Sequence, residues 1–96
     1  MGGNMGYRIY EPTPDRKSWY GKCAVYERED GEKALRSYKT IVMTIDADGI
    51  PHRHWDKWSA TTARHIWAAF CVDTKDYRAM DVERLPRKWR NLEATF

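Results

Sequence analysis

Residues 50–67 read IPHRHWDKWSATTARHIW and hold all three histidines of the chain with three of its five tryptophans. Histidines two apart on a strand, as His52 and His54 would be, project from one face. Paired imidazoles begin many zinc sites, and Asp56 or Cys71 would complete a tetrahedral set. Such sites draw on two recognisable ligand pairs, however, and no second pair follows. Two polar residues on a solvated edge strand is the simpler reading, so no metal and no cofactor is expected. The chain also lacks a nucleophile elbow, a phosphate-cradling glycine loop and paired carboxylates. Its serines are only Ser18, Ser37 and Ser59. His65 beside Arg64 would suit a small metal-dependent nuclease, but the spacing does not demand one. No catalytic residue is assigned and the chain is not expected to be an enzyme.

What remains is binding chemistry. Tryptophan and arginine dominate interface hot spots because they bury large area while keeping a polar handle. Arg53, Trp55, Lys57, Trp58, Arg64 and His65 are therefore the candidate partner-binding residues. Arg53 and Trp55 share the strand face opposite His52 and His54, and Trp55 is the member expected to reach the core. A second group, Arg87, Lys88 and Arg90, would crowd the first turns of a C-terminal helix. Cations are disfavoured there by the partial positive charge of the helix start. Either an anionic partner or simple solubility accounts for them.

The elements that must carry these residues read as follows. Tyr7 to Tyr10 is a short first strand, closed by the turn signal Pro12-Thr13-Pro14-Asp15. Lys22 to Arg28 alternates polar and apolar, and Asp30-Gly31 supplies a hairpin turn. Residues 33–45 look like one central strand, with Ile41, Met43 and Ile45 on one face and Tyr38, Thr40, Val42 and Thr44 on the other. Asp48-Gly49 turns the chain into an edge strand from Ile50 to Trp55, where Pro51 is tolerated. The period then changes to 3.6. Ala63, Ile66, Trp67, Phe70 and Cys71 define one apolar stripe, and Ser59 or Thr61 caps the helix, with Trp58 as a staple. At 100° per residue, His65 lies about 200° from Ala63 and faces away from the core, with Arg64 about 100° away at the border. Residues 73–81 fit a helical turn, a loop or a last edge strand. Leu85, Trp89, Leu92 and Phe96 keep helical spacing after Pro86.

These elements predict one α+β domain over residues 7–96, after a flexible leader at 1–6. An antiparallel sheet of three or four strands would carry one main helix on a face and a short C-terminal helix. Net charge is +3, with eight basic and eight acidic residues in 1–48 and nine against six in 49–96. That is a mild lean toward anionic partners, short of a nucleic-acid-binding composition. No stretch approaches the roughly 20 apolar residues of a membrane span. The opening residues lack the basic start and apolar run of a secretory signal, so Cys23 and Cys71 should be reduced thiols. The Tyr7–Tyr10 segment could pair with another chain, which leaves monomer and dimer both open.

The stretch SYKTIVMTIDADGIPHRHWDKWSATTARHI, residues 37–66, resembles a segment of small phage and prophage proteins of unknown function. They share a Y-x-T-x-V-x-x-I strand, a turn and a W/Y-S-x-T-T-x-R/K-H-I helix start. Tyr38, Thr40, Val42 and Ile45 match the strand; Trp58, Ser59, Thr61, Thr62, Arg64, His65 and Ile66 match the helix start. The resemblance covers about a third of the chain. It implies a bacterial host cytoplasm and, by analogy of context, an anti-CRISPR-like inhibitor that binds a bacterial protein or nucleoprotein complex. A nucleic-acid-binding module using exposed tryptophan, arginine and lysine is the alternative.

Overall fold

A computed structural model describes residues 6–12 and 21–96. Most of the leader and of the Pro12–Asp15 turn therefore lie outside the described residues. The β-rich segments pair into a single antiparallel meander, with spatial order following chain order. Its strands are β1 (Tyr7–Tyr10), β2 (Cys23–Arg28), β3 (Lys33–Ser37), β4 (Thr40–Ile45) and β5 (Pro51–Arg53). The fold is α+β as expected, but with five strands among the described residues rather than three or four.

The extra strand arises because residues 33–45 do not run straight. The chain reverses at Tyr38-Lys39, with Ser37 paired to Thr40 and Tyr38 at φ 57°. A bulge follows. Leu35 pairs with Met43 but Arg36 pairs with Ile41, leaving Val42 as an extra residue. One inserted residue sends everything before it to the other face. Val42 and Met43 thus enter one core together while Ile41 enters the other, against the alternation read from the sequence.

Both faces of the sheet are covered, which explains why β2 and β4 are each buried over four consecutive residues. Helices α1 (Ala60–Phe70) and α2 (Thr74–Ala79) place Ile66 and Tyr77 over Val25, Leu35 and Met43. Helix α3 (Arg87–Glu93) places Trp89 and Leu92 over Ala24, Tyr26, Ala34 and Ile41 on the opposite face. Pro86 precedes α3 as the N-cap residue, and Leu85, Trp89 and Leu92 are buried as their spacing predicts. Trp89 is stacked on Tyr7 at 5.8 Å.

Ser59 caps α1 by accepting the N–H of Thr62, and Cys71 ends the helix in the left-handed conformation. The buried side of α1 is Thr62, His65 and Ile66, so the helix is rotated from the predicted stripe and Trp67 is 56% exposed. The undecided segment 73–81 contains the helical turn α2, capped by Asp73. Val82 then makes a parallel bridge to Arg53, and the N–H of Glu83 donates to the Arg53 carbonyl, which partly covers the β5 edge. Both cysteines are free thiols, Cys23 buried and Cys71 exposed. No helix among the described residues is long and apolar enough to cross a membrane.

Candidate functional site

Arg53, expected on a contact surface, is a buried clamp instead. It is 9% exposed, and its guanidinium centre lies 4.7 Å from the Tyr77 ring. Nε donates to the Trp55 carbonyl at 2.9 Å; the terminal nitrogens donate to the carbonyls of Arg78, Met80 and Lys57 at 3.3–3.4 Å. The Tyr77 hydroxyl lies 3.0 Å from the Val42 carbonyl and 3.1 Å from that of Trp55, and its one proton serves both. These bonds fix the irregular segment from His54 to Trp58. Trp55 is half-buried against the core it was expected to reach.

His65 is likewise inside, at 0% exposure, where helical spacing had put it outside. Its Nδ1 lies 2.9 Å from Ser37 Oγ, which lies 2.9 Å from Thr62 Oγ1. Burial lowers its pKa, and nearby Lys22 adds to that, so the ring is held in the neutral form. A polar side chain tolerates this position because the β3 hydroxyl of Ser37 meets it and is itself bonded to Thr62 of α1.

His52 and His54 do share a face, and both reach Glu83. His52 Nε2 contacts Asp46 Oδ2 at 2.8 Å and Nδ1 contacts Glu83 Oε2 at 2.9 Å. Two carboxylate acceptors require both ring nitrogens to donate, which is the imidazolium form. Its pKa is accordingly raised, first by Asp46 and then by Glu83. His54 Nδ1 must donate to the Glu83 carbonyl at 2.8 Å, leaving Nε2 to accept from Thr44 Oγ1 at 2.8 Å. Asp46 and Glu83 occupy opposite ends of one imidazole, so these donors tie the β4–β5 hairpin to residue 83 and do not converge on a point.

The exposed candidates lie on two sides of the molecule. Arg87, Lys88 and Arg90 belong to α3, across the sheet from α1. Lys88 pairs with Glu32, Arg87 is exposed and Arg90 is half-buried. On the α1 side stand Lys57, Trp58 and Arg64, joined by three residues that sequence patterns did not place on a contact surface: Tyr38, Trp67 and Arg78. Trp58 is 47% exposed, with the Arg78 guanidinium 5.7 Å from its ring. Arg64 and Trp67 share the outward crest of α1, three residues apart.

Beside Trp58, at the start of α1, a cleft of about 280 Å³ opens between the 55–59 segment and the Tyr38-Lys39 turn. Tyr38, Thr40, Trp55, Lys57, Trp58 and Ser59 line it. The one advance signal for Tyr38 was the length of the 33–45 run, which exceeds an ordinary strand of ~3–10 residues and called for a break.

Residues 8–84 match the model of a family of unknown function (DUF8033), and the chain belongs to that family. The match takes in the sheet from Arg8 onward, α1, α2 and the whole cleft, and stops short of α3. No curated protein and no solved structure matches the chain.

Proposed function

We propose that this family member is a small partner-binding module that docks a bacterial protein or nucleoprotein complex through the outer surface of α1 and α2. The setting we infer is phage or mobile-element carriage in a bacterial host cytoplasm, with inhibition of a defence complex as the role. One observation carries the docking surface: Trp58, just ahead of α1, and Trp67, on its crest, stand 47% and 56% exposed, with Arg78 beside the first and Arg64 beside the second. An aromatic side chain offers 150–250 Å² for burial, so covering the exposed half of each indole is worth about 2.5 kcal/mol at ~25 cal/mol per Å². Two such anchors beside arginines have the make-up of an interface hot spot. The phage setting is supported by the resemblance over residues 37–66.

The test is capture of partners by the tagged protein from lysates of bacteria that carry defence systems. The native chain should retain a defined protein, and Trp58→Ala with Trp67→Ala should lose it while the thermal midpoint stays close to wild type. Capture that survives the double substitution removes the helical layer from the interface. A captured complex that shows undiminished activity when saturated removes the inhibitory role.

A further inference from the structure

The turn that forms one wall of the cleft holds its tyrosine in a conformation that suits tyrosine poorly. Tyr38 sits at φ 57°, in the left-handed region where glycine or asparagine would meet less steric conflict. The turn is nevertheless pinned. The Tyr38 N–H donates to the Lys22 carbonyl at 2.6 Å, and Arg36 Nη1 donates to the Tyr38 carbonyl at 2.8 Å. The result is a ring left 48% exposed over the cleft, tilted against the buried His65 ring at 5.9 Å. Strain that glycine would relieve, kept beside an open aromatic wall, points to a use for the ring.

Across the cleft stands Trp58, and Lys57 lies at its edge. Lys22, Lys39 and Lys57 form no ion pair among the described residues, whereas Arg8, Arg28 and Lys88 each do. Asp56 adjoins Lys57 in the chain, and no acid lines the cleft. A volume of about 280 Å³ falls at the lower limit of the ~300–1,000 Å³ typical of ligand sites, which suits one planar ring better than an extended cofactor.

We propose that this cleft receives one base of a single-stranded nucleic acid, stacked on Tyr38 and Trp58, with the adjoining phosphates met by Lys39 and Lys57. Base faces are accessible only where the strand is unpaired, and aromatic stacking beside cations is the sequence-tolerant way to hold them. Thr40, whose hydroxyl bonds to none of the described residues, can meet a base edge within the cleft. The cleft shares Trp58 with the docking surface, but Trp67 lies eight residues and ~12 Å along α1 from Ser59. Tyr38→Gly therefore tests the cleft alone, and Trp67→Ala tests the crest alone.

The probe is a short fluorescein-labelled oligothymidylate, followed by anisotropy in a series of rising salt. The native chain should bind it saturably at low ionic strength and more tightly than a duplex of equal length. Tyr38→Gly removes the ring and relieves the turn, so affinity should fall about tenfold or more while the thermal midpoint holds or rises. Lys39→Gln with Lys57→Gln should flatten the slope of log affinity against log salt by about 1.4, the release expected for two phosphates of a single strand. Arg84→Gln, at the other end of β4, should leave affinity as it was. Absence of binding at low salt overturns the proposal, as does native affinity in Tyr38→Gly or equal binding of duplex. Weakening by Arg84→Gln to the same degree as by the lysine changes reduces the effect to general charge attraction and also overturns it. Should the oligonucleotide fail to bind while Tyr38→Gly abolishes capture of a protein, the cleft belongs to a protein interface instead.

Discussion

Replacing Arg53 with methionine separates a clamp from a contact residue. Methionine keeps most of the apolar stem but removes every donor, leaving the carbonyls of Arg78, Met80 and Lys57 without the guanidinium and the Tyr77 face without its cation. A hydrogen bond from a charged donor contributes about 1.5–3 kcal/mol net. The 2.9 Å bond to Trp55 merits that full range. The three bonds at 3.3–3.4 Å are long and deserve a fraction each, and part of the total is offset because a cation no longer has to be desolvated. The expected loss is about 3 kcal/mol, a large share of the ~5–15 kcal/mol that holds a domain together. For a chain of this size it corresponds to a fall of about 12–24 °C in Tm. Urea unfolding followed by tryptophan fluorescence reads it as a lower midpoint at constant slope. Arg53→Lys retains the charge but not the planar fork, so it should recover less than half of the loss. A loss below about 1 kcal/mol in Arg53→Met, together with abolished partner capture, would refute the clamp and restore Arg53 to the binding surface.

The histidines pull stability in opposite directions with pH. His52 has a raised pKa, so its contribution is complete below the ordinary value near 6.5 and disappears as pH rises through the folded value; His52→Gln should abolish that alkaline decline in urea midpoint. His54 and His65 are lowered by burial, so what they contribute is present above about 6.5 and is lost on acidification, and His65→Ala should soften the acid limb. His65→Ala should also cost about 2–4 kcal/mol at neutral pH, because it opens a cavity and strips Ser37 of a partner; a neutral result would return His65 to the surface. Burial pushes the Cys23 thiol to about 11, so a maleimide reagent should modify Cys71 quickly and Cys23 only on unfolding; equal rates would contradict the packing of β2. Cys71 sits at φ 56° after α1, and Cys71→Gly should raise stability by about 0.5–1 kcal/mol in the same urea assay.

The parts of this fold that depend on neighbours in the chain were legible. Asp30-Gly31 and Asp48-Gly49 turn where their glycines adopt φ of 94° and 86°, Ser59 caps α1, and Pro86 introduces α3. The turn at Tyr38-Lys39 carries no glycine, proline or asparagine, and it is held by Arg36 and Lys22, so alternation ran straight through it. Periodicity also misplaced His65. A stripe built on Ala63, Trp67 and Phe70 assumes that the largest apolar side chain is buried, yet the sheet beneath α1 offers Ser37, and its hydroxyl satisfies an imidazole 28 positions away. Arg53 failed for the same reason, since two of its acceptors lie at 78 and 80, beyond any local pattern.

These two errors are one error seen from both sides, and together they define the surface. A helix that turns a histidine inward must turn something outward, and here that is Trp67 with Arg64. A strand end that buries its arginine under Tyr77 throws the next irregular segment outward, and that segment ends in Lys57 and Trp58. Burial of polar groups with partners costs little once every donor and acceptor is met, whereas exposure of an indole forfeits area that a well-packed core would have used. The sheet already fills both of its faces, and the three helices of the described residues have limited means to cover two further indoles. Inverting the arrangement should therefore be tolerated. Paired substitutions Trp58→Gln and Trp67→Gln should leave the urea midpoint nearly unchanged and improve solubility, while His65→Gln or Arg53→Gln should not. A large drop in midpoint for the tryptophan pair would mean that the indoles are structural and would leave α1 without a binding face.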